Sequence, residues 1–314
     1  MLNSIGEFYE IKMNDDTLRI DRKNLLAKFH DTGRSLLNAQ TRALDAIIHD
    51  LIKIDSDRDR EDVRVPLLML QAVGVSVHSV LALTRERSMA IRDGFGITRS
   101  AVETALNAAY IATAGATQAE QSIRYMRQKR WRDLNRQANF ADVKVTAVRN
   151  IGRDAGDFPG LEEALAEFTD GKGRERRSWT RLSIEDRIAI VAKLNRQAGI
   201  AFGSAIFAIY RPASELLHGS YYGVNYFWQG SRDTPARSAE AFDELWVTEH
   251  FVTLLCSLFF SVSGAVTAIA AVHKLALHAE LQEKLAQKLG HLISEMNCAD
   301  PDPDNEHEFT TQSN

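Results

Sequence analysis

A chain of 314 residues with 45% hydrophobic and 25% charged side chains and only 6 prolines can bury a core without staples, which excludes a collagen-like or disordered polypeptide. The formal net charge of -4 gives no global sign of a nucleic-acid partner, although basic residues cluster locally. Two cysteines, Cys256 and Cys298, make no disulfide framework. The first sixteen residues carry early acids and no basic segment running into an apolar one, so the expectation is a cytoplasmic protein with free thiols and no secretory signal.

From about Asp21 to Ile54, Leu25, Leu26, Phe29, Leu36, Leu37, Leu44, Ile47, Ile48 and Leu51 recur largely at the spacing of an amphipathic helix, with Gly33 as an expected interruption. Asp55 to Asp62 reads as a turn. A second helix follows to about Arg87, with Pro66 placed in its first turn, where a missing N–H has no helical partner. Asp93-Gly-Phe-Gly96 reads as a break, after which Thr98 would cap a helix carrying Val102, Leu106, Ala109 and Tyr110 and ending at Gly115. Thr117 would cap the basic helix that follows.

Glycines between Gly152 and Gly173 mark a looser region with one short helix. Ser183-Ile-Glu-Asp186 opens another helix with acids in its first turn. The helix bearing Arg211 and His218 comes next, then a loop from Gly230 to Pro235 and a long helical stretch from about Ser238 to Met296. No alternating strand pattern interrupts the series. The expected fold is an all-α multi-helix bundle: an N-terminal helical extension (1–62), a helical domain (63–297) and a disordered acidic tail (298–314).

Residues 251–272 carry no charge and are long enough to cross a bilayer. Thr253, Ser257, Ser261, Ser263 and Thr267 dilute that apolar run, so the reading taken is a buried core helix rather than a membrane span. Two basic clusters stand out, one formed by Arg124, Arg127, Lys129, Arg130, Arg132 and Arg136, the other running from Lys172 to Arg177. They suit either phosphate recognition or solvated helix faces. Gly94-Phe-Gly96 and Gly171-Lys-Gly173 lack the spacing of a phosphate loop, no histidine pair has zinc-ligand spacing, and no nucleophile elbow is present. No metal and no cofactor are expected.

What remains is Tyr210-Arg-Pro-Ala-Ser-Glu-Leu-Leu-His-Gly-Ser220. Arg211 and His218 stand seven apart, about two helical turns, with Ser214 and Glu215 between them. A guanidinium can grip a phosphate in two places and an imidazole can exchange protons near neutral pH, a pair suited to a phosphodiester. The same spacing also fits an Arg211–Glu215 ion pair with His218 bonded to a neighbouring helix. Pro212 could open the helix and leave Arg211 at its cap.

At these residues the chain resembles the HEPN superfamily (higher eukaryotes and prokaryotes nucleotide-binding), whose nuclease members carry an Arg, four to six intervening residues, and a His. It is most similar to an uncharacterised bacterial branch in which an Arg-Ser-x-x-Glu helix precedes a Tyr-x-x-x-Ser-x-x-x-His segment. Here these read Arg99-Ser-Ala-Val-Glu103 and Tyr210 to His218, within a similarity over about residues 65 to 275. Pro212 departs from the polar residue frequent after the Arg in catalytic relatives.

The resemblance implies a metal-independent RNA endonuclease, of the kind used as toxins or antiviral effectors. Arg211 and His218 would be catalytic, and Ser214, Glu215, Arg99 and Glu103 supporting. Arg124, Arg127 and Arg130 would be RNA-binding. It further implies a homodimer and an antitoxin or regulatory partner. The alternative is a non-catalytic helical binding or regulatory module of the same fold.

Overall fold

The computed structural model describes residues 15–58, 60–148 and 153–298. The elements are α1 (Asp15–Arg58), α2 (Glu61–Leu83), α3 (Ile91–Ala114), α4 (Ala116–Leu134), β1 (Asn135–Phe140), β2 (Val143–Val148), α5 (Leu161–Glu167), α6 (Ile184–Leu194), α7 (Arg196–His218), α8 (Tyr221–Gln229), α9 (Ala239–Leu245), α10 (Val252–His273) and α11 (Ala276–Cys298). A 3-10 turn precedes α5, and a π-helical segment, Trp246–Phe251, leads into α10. The all-α expectation holds. The acidic tail, residues 299–314, and the Cys298 side chain lie outside the described residues.

The bundle is organised around α10, which packs against α1, α2, α3, α6, α7 and α11. Leu254, Leu255, Leu258, Phe259, Val262, Ala265, Val266 and Ile269 are all buried, and they occupy more than one face of the helix. A helix apolar all round is stable only when neighbours enclose it. Two helical stretches, Glu61–Leu83 and Ala239–His273, are long and apolar enough to cross a membrane. Within the protein, 67% of the apolar window in the second is buried, against 44% in the first. The second is therefore the bundle's central column, whereas α2 leaves Leu68 and Val75 exposed.

α1 belongs to the same core through Leu26, Phe29, Leu37, Leu44, Ile47 and Leu51. Inside that apolar contact, Gln40 donates to the Phe259 carbonyl (2.8 Å) and to the Gln282 side chain (3.0 Å), tying α1 to α10 and α11. Near its far end Asp50 bonds His278 of α11 at 2.9 Å, and this contact holds the Asp50 carboxyl below the usual carboxylate range.

Several expected breaks are instead positions of close packing. α1 runs unbroken through Gly33, where an added Cβ would stand 2.7 Å from a Leu255 methyl of α10. Asp93 to Gly96 lies within α3: Gly94 admits Leu254 and Gly96 admits Leu217, so these glycines serve helix contact rather than a turn. Thr98 is consequently fully buried mid-helix and caps nothing. The turn expected over Asp55 to Asp62 is shorter, because α1 continues to Arg58 and α2 starts at Glu61. Pro66 is then a helix-interior residue that leaves the Asp62 carbonyl without its usual donor.

Gly115 ends α3 as expected, but it also caps α4, so Thr117 lies inside that helix. The helix expected to open at Ser183 does so, with Ser183 and Asp186 in a reciprocal capping box. The long stretch after Ser238 is broken at Lys274, whose backbone is left-handed.

The main departure is an antiparallel hairpin, β1–β2, with Phe140 opposite Val143 and Ala138 opposite Val145. The two-residue period puts Ala138, Phe140, Val143, Val145 and Ala147 on one face, and all five are exposed. The hairpin extends directly from α4.

Candidate functional site

α7 is continuous from Arg196 to His218, with Asn195 capping its start and Gly219, in the left-handed region, its end. Pro212 lies deep inside this helix, not in its first turn, so Arg211 is on the regular helical surface. At 3.6 residues per turn the seven-residue step brings His218 to within about 20° of Arg211 and about 10 Å further along the axis. Both side chains are exposed. They continue a stripe of Ile200, Ser204 and Phe207, and Phe207 is 91% exposed, an unusual state for a phenylalanine.

Neither structural tie open to this pair is made. Glu215 is engaged by Ser220, whose hydroxyl donates to its carboxylate at 2.5 Å, and not by Arg211. Among the described residues, His218 makes no hydrogen bond or ion pair, and Ser214, half-buried, makes no side-chain hydrogen bond. Arg211 instead faces an aromatic ring, its guanidinium carbon 5.4 Å from the centroid of Tyr222 on α8. Among the described residues no side-chain or backbone acceptor bonds its N–H groups, which suits a guanidinium that takes an anion.

α8 holds Tyr222 in place through three contacts. Ser220 caps the helix by accepting the Gly223 N–H at 3.1 Å. Gly223 lies so close to the Glu215 backbone that no side chain fits between them. Phe227 accepts a hydrogen bond through its carbonyl from buried His250 at 2.9 Å, and its ring stacks on the same imidazole. Burial pushes His250 down to about 4, so it is neutral near pH 7 and belongs to the scaffold.

Arg99 and Glu103 of α3 form an ion pair at 3.2 Å. Arg99 also lies over Tyr210 of α7, 4.3 Å from the ring centroid, so the two motifs meet across the α3–α7 contact. Arg187 of α6 bonds the same helix α3 by donating to Asn107, and it also donates to the Ser183 carbonyl of its own helix start. Burial draws its guanidinium below the usual arginine range, while Glu103, Tyr110 and Tyr210 act in the opposite sense. At the other end of the contact Arg92 donates to the Leu216 carbonyl (3.2 Å) and borders a cleft of about 350 Å³ beside the last turn of α7.

Arg187, Arg92 and Tyr222 were invisible in the sequence, because each acts across elements far apart in the chain. Only the Ser183 capping box, one turn before Arg187, hinted at that position.

The three arginines assigned to RNA separate into two kinds. Arg124 is held by Glu167 at 2.7 Å. Arg127 and Arg130 are exposed and make no ion pair with a described residue. α4 packs on α2, α3 and α5, whereas α7 packs on α3, α6, α8 and α10, so the two candidate surfaces share α3 as a neighbour. Among the described residues no three His, Cys, Asp or Glu side chains converge as a metal site.

Residues 64–235 match DUF5677, a family of unknown function. The chain belongs to this family. No curated protein and no solved structure matches it significantly. The DUF5677 segment runs from α2 through α8 and contains every candidate residue named above. α1, α9, α11 and the central α10 fall outside the match.

Proposed function

We propose that this chain is an RNA endonuclease of HEPN type in which Arg211 binds the scissile phosphate and His218 transfers the proton. The observation that carries the reading is the unbroken path of α7 through Pro212, which puts both groups on one exposed stripe with neither tied into an ion pair. His218 takes the proton of an RNA 2′-hydroxyl as its oxygen bonds to phosphorus. The bond to the 5′-oxygen breaks and that oxygen is protonated, leaving a 2′,3′-cyclic phosphate and a 5′-hydroxyl. Arg211 stabilises the charge that develops on the phosphoryl oxygens. The reaction needs no metal.

Within one chain the site is an open helix face. A second copy docked through the Phe207 stripe gives it a shared cleft and a second His218, one accepting and one donating a proton.

Labelled RNA and DNA of the same sequence, with and without chelator, test the reading. RNA should be cut to cyclic-phosphate ends and DNA spared. His218→Ala and Arg211→Ala should each lower the rate about 10²–10⁴-fold while retaining helical circular dichroism. Unchanged rates in both variants would show that the chemistry lies elsewhere. A non-catalytic binding or regulatory module is the second reading, favoured by the absence of a described group bonded to and orienting His218, and intact RNA under every condition would support it.

A further inference from the structure

Residues 116–182 contain 14 basic and 10 acidic side chains, in a chain with 38 against 42 overall. Here α4 and the turn before α5 enclose a groove of about 600 Å³ lined by Met126, Arg127, Arg130, Trp131, Leu134 and Phe158, together with Pro159 and Leu161. None of these residues is a carboxylate. Trp131 and Phe158 meet at 5.4 Å with their planes tilted by 60°, and both are only half-buried, so each leaves part of its ring accessible. The Trp131 indole N–H bonds no described residue.

Arg127 and Arg130 flank the rings from one face of α4 and are free of carboxylate partners. Their neighbours differ: Arg124 is paired with Glu167, Lys129 with Glu175, and Arg132 is bonded to Gln128 and Thr169. Arg153 adds a third cation, 6.0 Å from the Phe158 ring centroid. Along α4, then, the three cations turned to the fold have protein partners and the two at the aromatic groove have none.

We infer that this groove binds single-stranded RNA, with a base against Trp131 and Phe158 and adjacent phosphates on Arg127 and Arg130. Aromatic faces accept unstacked bases of any sequence while guanidinium groups follow the backbone, and a duplex, its bases stacked inside, cannot use the rings. The volume accommodates a nucleotide. The choice of RNA rests on the nuclease reading, but the groove is on α4 and not α7, so it would hold the strand apart from the reacting bond.

The test is binding of a fluorescent single-stranded RNA, and of the same sequence as duplex, to the full chain in chelator at several salt concentrations. Because it reads binding and not cleavage, its failure is distinct from failure of the nuclease assignment. The single strand should bind at least about tenfold more tightly than the duplex. Trp131→Leu should weaken binding about 5- to 150-fold, with Trp131→Phe retaining most of it. The pair Arg127→Gln and Arg130→Gln should reduce the salt slope by about 1.4.

Ultraviolet crosslinking to the unaltered protein needs no variant and should mark the peptides containing Trp131 or Phe158. Equal affinity for duplex, crosslinks confined to other peptides, or no binding at low salt would overturn the inference.

Discussion

The Arg99 guanidinium lies 4.3 Å from the ring centroid of Tyr210, although 111 positions separate the two residues in the chain. Held also by Glu103, this cation joins α3 to the turn of α7 that carries Arg211. In urea denaturation, Arg99→Leu and Tyr210→Leu should therefore be non-additive, with a coupling of about 0.5–1 kcal/mol. Additive losses would mean that the contact contributes nothing beyond proximity.

Phe207 should be covered when two copies associate through α7. Light scattering of the unaltered protein should give twice the chain mass, and Phe207→Glu should return it to a single chain without loss of helical signal. A single-chain mass at every concentration, with RNA present, would count against association through this face.

His250 imposes a pH dependence on stability. An unfolded histidine titrates near 6.5, whereas burial brings this one to about 4 in the fold, so between those values the unfolded state binds more protons. Stability should be complete above about pH 6.5 and decline as pH falls toward 4, by about 3 kcal/mol from this residue. His30 and His273, also lowered by burial, act in the same direction. The measurement is therefore the difference between unaltered protein and His250→Gln, which keeps a donor for the Phe227 carbonyl; parallel pH profiles would rule out the assignment.

Gly223 and Gly203 should respond oppositely to alanine. At Gly223 an added methyl overlaps the Glu215 carbonyl group and stands 2.8 Å from the Leu216 nitrogen, so Gly223→Ala should cost about 1–3 kcal/mol and loosen α8. At Gly203, in the middle of α7, the methyl meets nothing within 4 Å, and Gly203→Ala should stabilise by up to about 1 kcal/mol. Thermal melts of the two variants decide the matter.

Enclosure of α10 by its neighbours leads to the expectation that the expressed protein fractionates with soluble material. Recovery only after detergent extraction of membranes, with aggregation excluded, would contradict it.

The helical architecture was legible wherever end signals were clear, as at the Ser183 helix start and at Gly115. Glycine misled the reading at Gly33 and Gly94 because it serves two purposes, breaking helices and letting them approach, and only the facing Leu255 or Leu254 tells which. β2, Val143-Lys-Val-Thr-Ala-Val148, carries a strand signal that the sequence reading overlooked, whereas β1, Asn135-Arg-Gln-Ala-Asn-Phe140, has no β-branched residue and the turn, Ala141-Asp142, no glycine. At the candidate site the i,i+7 pair was readable from spacing. The engagement of Glu215 by Ser220 and of Arg211 by Tyr222 depends on how α8 folds back, which no local pattern encodes.

The central position of α10 also sets an order of events during synthesis. α3 and α7 present their apolar faces to a helix that begins at Val252, after the whole DUF5677 segment has been translated. Residues 236–273 take roughly 2–8 s to add at ordinary elongation rates. Through that interval the apolar faces of α3 and α7 that α10 covers in the fold have no such cover. For the same reason a truncated gene product ending at residue 235 would match the whole family segment and still lack the helix around which it packs.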